Sequence, residues 1–106
     1  MSDPKFVTVA HTTDLQPGEM TYVEVGDDPV CLINFDGDYY ALSDICTHEE
    51  ASLSDGEIIG DEVECPLHGG AFEIRTGAPA AFPVVVAAET YHVRIVGDEV
   101  QLAPKS

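Results

Sequence analysis

The feature that most narrows the fold is an alternation of apolar and polar residues in runs too short for helices. "FVTVA" (6–10), "TYVEV" (21–25), "VCLINF" (30–35), "YYALS" (39–43), "EVEC" (62–65), "AFEIR" (71–75), "YHVRIV" (91–96) and "EVQLA" (99–103) are rich in β-branched and aromatic residues. Successive strand side chains point to opposite faces, so a period of two marks strands. Turn-forming stretches separate the runs: "LQPGE", "VGDDP", "FDGDY", "SDGE", "IGDE", "RTGAP" and "VGDE". In "FDGDYYAL", Asp36-Gly37 stands between two strand runs, a strong hairpin signal, and "IVGDEVQL" reads as a second hairpin. No long segment carries a 3.6-residue period with caps. These patterns predict an all-β chain, a small antiparallel β-sandwich or barrel, with residues 1–106 as one domain. The apolar run 83–93 is expected to be a buried strand, or a strand plus a bend.

Residues 44 to 70 break the regular pattern. "CTH" (46–48) and "CPLHGG" (65–70) each place one thiol and one imidazole in turn-rich surroundings. The expected picture is two loops, joined by short strands through "SDGEIIGDEVE". Cys46, His48, Cys65 and His68 form a C-x-H, C-x-x-H set with sixteen residues between His48 and Cys65. Two sulfurs and two nitrogens suit zinc or an iron–sulfur centre. Zinc fingers pair like with like, two cysteines on one knuckle and two histidines on a helix. Here each loop is mixed, which suits a dinuclear group whose metals each take one ligand type.

The two motifs and their spacing resemble those of the Rieske [2Fe–2S] proteins. The short all-β chain is similar to the Rieske-type ferredoxins of bacterial aromatic-ring dioxygenases. A third stretch, "TGAPAAFP" (76–83), resembles the proline-containing loop that shields the cluster in that family. The resemblance implies a cluster-binding subdomain over about residues 44–83 carrying one [2Fe–2S] cluster. It also implies Cys46 and Cys65 on the inner iron and His48 and His68 on the outer one. Replacing two thiolates by neutral imidazoles removes negative charge from the iron. The potential then rises from about −400 mV for plant-type ferredoxins into a range of about −150 to +300 mV.

Departures from the wider family pattern refine that expectation. Respiratory and photosynthetic Rieske proteins resemble C-T-H-x-x-C and C-P-C-H-G-S-x-Y, with a disulfide tying the loops and two hydroxyls donating toward the cluster. Those positions are Ala51, Leu67, Gly70 and Phe72 here, so neither device is possible. With fewer donors to sulfur, the expected potential lies near the low end of the range, roughly −150 mV.

The resemblance implies a one-electron carrier between an NAD(P)H-dependent flavoprotein reductase and the terminal Rieske oxygenase of an aromatic-ring-hydroxylating system. Nothing in the chain argues for an enzyme. The histidines left after ligation, His11 and His92, lie in unrelated strands, and no G-x-G-x-x-G occurs. The alternatives are a nitrite reductase-type small subunit, the ferredoxin of a multicomponent monooxygenase, and a zinc-stabilised β interaction module.

Charge bears on partners. Twenty acidic residues against four basic ones give a net charge of −16, which argues against nucleic acid, whose phosphates would be repelled. The same charge favours a soluble monomer and steering toward a basic partner surface, or it serves solubility alone. No apolar run spans a membrane and no signal-peptide pattern opens the chain, so a cytoplasmic setting is expected, where clustered Cys and His suggest metal before disulfide.

Other residues carry smaller expectations. Pro66 stiffens its loop, while Gly69 and Gly70 let main-chain N–H groups near the cluster and a partner near His68. Glu49 and Glu50 form an acidic docking rim, or a merely solvated loop. Leu67 and Pro79 shield the cluster, and Phe72 belongs to the core. Cys31 is a buried core thiol, His92 a surface strand position and His11 a turn residue. Tyr39, Tyr40 and Tyr91 pack in the core or across strands.

Overall fold

The computed structural model describes residues 5–47, 51–67 and 69–105. Ten strands follow in order: β1 (Val7–His11), β2 (Met20–Val25), β3 (Asp28–Phe35), β4 (Asp38–Ser43), β5 (Glu57–Ile59), β6 (Glu62–Glu64), β7 (Ala71–Glu73), β8 (Pro79–Ala81), β9 (Tyr91–Val96) and β10 (Glu99–Pro104). Short 3₁₀ turns occupy Thr12–Asp14 and Leu53–Asp55. Every ladder is antiparallel, in three sheets ordered β1-β10-β9, β2-β3-β4 and β5-β6-β7-β8.

The first two sheets wrap round one core. Leu42 bridges Thr90, and Ser43 N–H donates to Glu89 O at 2.8 Å, which joins β4 to the start of β9. β1 runs beside β2 on the other side. Inside lie Leu15, Val25, Val30, Leu32, Val100 and Leu102, all buried. The third sheet is inserted between β4 and β9 and holds its own core against the opposite face of β3. Strand β3 therefore alternates between two interiors, with Val30 and Leu32 in the barrel and Cys31 and Ile33 in the inserted subdomain. That double burial is why "VCLINF" reads as an almost unbroken apolar run.

The β3–β4 hairpin closes as its sequence predicts. Asp36 and Gly37 take positive φ of 56° and 92°, as a two-residue turn of matching twist requires. Buried Asn34 braces the turn: its Oδ1 accepts Gly37 N–H at 3.0 Å, and its Nδ2 donates to Leu15 O at 2.9 Å.

The apolar run 83–93 departs from expectation. Regular strand begins only at Tyr91, and residues 84–89 form an irregular loop. Val84 and Ala88 turn inward, while Phe82, Val85 and Val86 are exposed. The loop is stitched back by Ala88 N–H donating to Gly77 O at 2.9 Å, instead of extending a ladder. Strand β7 stops at Glu73, so only the first part of "AFEIR" is strand. No helix among the described residues is long and apolar enough to cross a membrane.

Candidate metal centre

Two hairpins rise from the inserted subdomain, and each closes at a cysteine. In the first, Asp44 O accepts Leu53 N–H at 2.7 Å, Ile45 bridges Ser52, and Cys46 N–H donates to Ala51 O at 2.9 Å. In the second, between β6 and β7, Cys65 N–H donates to Gly70 O at 2.7 Å. Both bonds reach the carbonyl five residues on, so each cysteine sits at the neck of its hairpin. Gly56 lets the hairpins approach, because a Cβ there would overlap the Glu64 carbonyl oxygen. His48 and His68, the expected nitrogen ligands, lie outside the described residues, as do Glu49 and Glu50.

The two cysteines are buried in the same apolar cluster. Cys46 and Cys65 are 3% and 2% exposed and belong to a single apolar cluster with Cys31, Leu53, Val63, Phe72 and Val84. The donor chemistry fits an iron–sulfur group: soft thiol ligands from two separate hairpins, walled by apolar side chains that limit water. The described part supplies the sulfur half of such a donor set. Burial, and secondarily the Asp44 charge, push the Cys31 thiol well above the ordinary thiol range, leaving it a neutral core residue as expected.

A third loop pins the hairpins. Thr47 Oγ1 donates to Val86 O at 2.7 Å, and Val84 packs over Gly70. Gly70 is buried, and a Cβ on it would stand 2.5 Å from Val84 Cγ2. This corrects the expectation that Gly70 admits a partner toward His68; it admits Val84. Gly69 is exposed with φ of 71°, a conformation that favours glycine. Pro79 is exposed on β8, and the segment that meets the two hairpins lies downstream, at Pro83, Val84 and Val86. Leu67 stands at the second tip, 43% exposed, and Phe72 is fully buried. His11 ends β1 and caps the first 3₁₀ turn, His92 is half-buried beside the Phe6 ring, and Tyr91 is buried.

Sequence reading missed Asp44, Gly56, Thr47 and Val84. Thr47 alone had a signal, as the middle residue of "CTH". Ile45, Leu67, Phe82, Val85 and Val86 are exposed apolar side chains, and Ile45 and Val86 border the same surface hollow as Cys46.

Comparison with known proteins agrees with this geometry. The Rieske [2Fe-2S] domain family matches residues 5–92. The chain is 40% identical over 99 residues to ferredoxin CarAc of Metapseudomonas resinovorans, covering 92% of each. It superposes with TM-score 0.90 and 42% identity on the ferredoxin of carbazole 1,9a-dioxygenase from Nocardioides aromaticivorans IC177, covering 98% of this chain and 100% of that one. A chain in the complex of reduced oxygenase and oxidised ferredoxin in carbazole 1,9a-dioxygenase gives TM-score 0.89 at 39% identity, covering 95% and 94%. A nitrite reductase-type small subunit from Mycobacterium tuberculosis, at 22% identity and TM-score 0.87 over 99% of both chains, shares the fold. With a family match spanning most of its length, two buried cysteines at paired hairpin necks and relatives that are dioxygenase ferredoxins, the chain belongs to the Rieske [2Fe-2S] domain family.

Proposed function

We propose that this protein is the ferredoxin of an aromatic-ring-hydroxylating system, carrying one electron at a time from an NAD(P)H-dependent flavoprotein reductase to a terminal Rieske oxygenase. The observation that carries the reading is the convergence of Cys46 and Cys65, from two hairpins closed alike, in one apolar cluster. Full-length likeness to dioxygenase ferredoxins supports it. Residues 1–106 act as one domain, and Cys46, His48, Cys65 and His68 hold the cofactor. A [2Fe–2S] cluster held by them would supply storage for a single electron.

The chain's own residues do the rest. The Cys N–H bonds set the necks, Leu53, Val63, Phe72 and Val84 exclude water, and Thr47 ties the first hairpin to the loop after β8. Both redox partners dock in turn at the histidine-bearing end, where the exposed apolar side chains of Ile45, Leu67 and Val86 are available for contact, so each complex is small and short-lived. Glu49 and Glu50, directly after His48, add an acidic edge that steers a basic partner surface. The protein works as a monomer in the cytoplasm, where thiols stay reduced.

Purified protein should be coloured, with two irons and two sulfides per chain and a midpoint potential of about −150 mV. Reconstitution with a flavoprotein reductase and a ring-hydroxylating oxygenase should restore NAD(P)H-driven turnover. A colourless protein holding one zinc would replace this reading with a zinc-stabilised interaction module. A coloured protein that passes electrons to no oxygenase would favour the nitrite reductase-type subunit.

A further inference from the structure

Asp44 is the one buried carboxylate among the described residues of a chain with 20 acidic side chains. It is 1% exposed and stands two positions before Cys46, at the base of the first hairpin. Its N–H donates to Pro29 O at 3.0 Å, and its carbonyl accepts Leu53 N–H at 2.7 Å. Its Oδ1 accepts Ser54 N–H at 2.8 Å. Among the described residues, which include every Lys and Arg, no cation pairs with it.

Hydrogen bonding alone does not account for a charge at this position. An asparagine would offer Ser54 the same acceptor without the cost of burying an unpaired carboxylate. Such a group is what a redox site uses to set its energy level.

We propose that Asp44 is a potential-setting residue, whose buried carboxylate behind Cys46 makes the cluster harder to reduce. The proposal rests on Cys46 being a cluster ligand. An added electron near a buried carboxylate meets repulsion at low effective dielectric, where salt cannot intervene. Exposed acids act on the same electron through water and ions, and their effect fades as salt rises. The result is a carrier that gives its electron up readily, as a donor to an oxygenase must.

The test is a redox titration of Asp44→Asn at about 0.1 M and about 1 M salt. Glu89→Gln serves as comparison, because Glu89 is exposed and borders the same surface hollow as Cys46. Asp44→Asn should keep its cluster and shift the reduction equilibrium toward the reduced form by about fivefold or more, equally at both salt concentrations. Any shift from Glu89→Gln should collapse at high salt. Wild-type potential in an Asp44→Asn protein with full cluster content would overturn the proposal, as would a shift that salt abolishes. If Asp44→Asn loses the cluster, Asp44→Ser is titrated in its place. Loss from both neutral variants would assign Asp44 to holding the hairpin alone and overturn the proposal equally. A wild-type protein without the [2Fe–2S] spectrum would defeat the ligand assignment first, and this proposal with it.

Discussion

At Gly70, a side chain is absent because another occupies its place. Val84 fills the volume that a Cβ on Gly70 would need, and both residues are buried beside Cys65. Gly70→Ala should therefore destabilise the protein by about 1–3 kcal/mol through overpacking. Val84→Ala alone should cost about as much by leaving a cavity. The double variant should be more stable than the sum of the two losses predicts, and denaturant titration of all four proteins checks this. Cys31 makes a second prediction. Its thiol is held protonated by burial, then by Asp44, while the unfolded chain ionises near the ordinary value of 9.0. The folded state thus binds the proton more tightly, and its stability is complete below about pH 9 and falls as pH rises beyond it. Cys31→Ala should flatten that alkaline decline, as thermal melts between pH 8 and 10 would register.

Strands and hairpins divide the molecule into two cores that share β3. The barrel core contains neither Cys46 nor Cys65, the proposed ligands, whereas the inserted core contains both. Cys65→Ser should abolish the visible spectrum and leave the barrel folded. Hydrogen exchange should then quicken in residues 51–88 while amides of β9 and β10 remain protected. Thr47→Val, which removes the bond to Val86, should shorten cluster lifetime under chelator severalfold, and Thr47→Ser should restore it.

The same division explains what the sequence disclosed. Strands with one wet face announced themselves by alternation, and β3 by being buried on both. β5 and β8 have three residues each and are set by their neighbours' ladders, so local pattern carries little of them. The run 83–93 misled because Val85 and Val86 are apolar yet exposed, and hydrophobicity does not record which way a side chain turns. The cysteines were legible from spacing. Asp44 was one acid among 20 until burial set it apart.

For the whole molecule, net charge governs encounter. With a charge of −16, association with a basic partner should slow steeply as ionic strength rises, since exposed charges are screened beyond about 10 Å at 0.1 M salt. Charge reversal at Glu49 and Glu50 should lower the on-rate and weaken its salt dependence while leaving the midpoint potential nearly unchanged. Stopped-flow reduction of an oxygenase across a salt series, with parallel redox titration, separates the two effects.

The exposed ring of Phe82 has a colloidal consequence. An apolar ring standing out from so strongly negative a body should glue copies of the protein to one another, yet each copy repels its twin before those rings can touch. Only a surface of opposite sign crosses that barrier, so electrostatics screens visitors and the hydrophobic spot grips whichever is admitted.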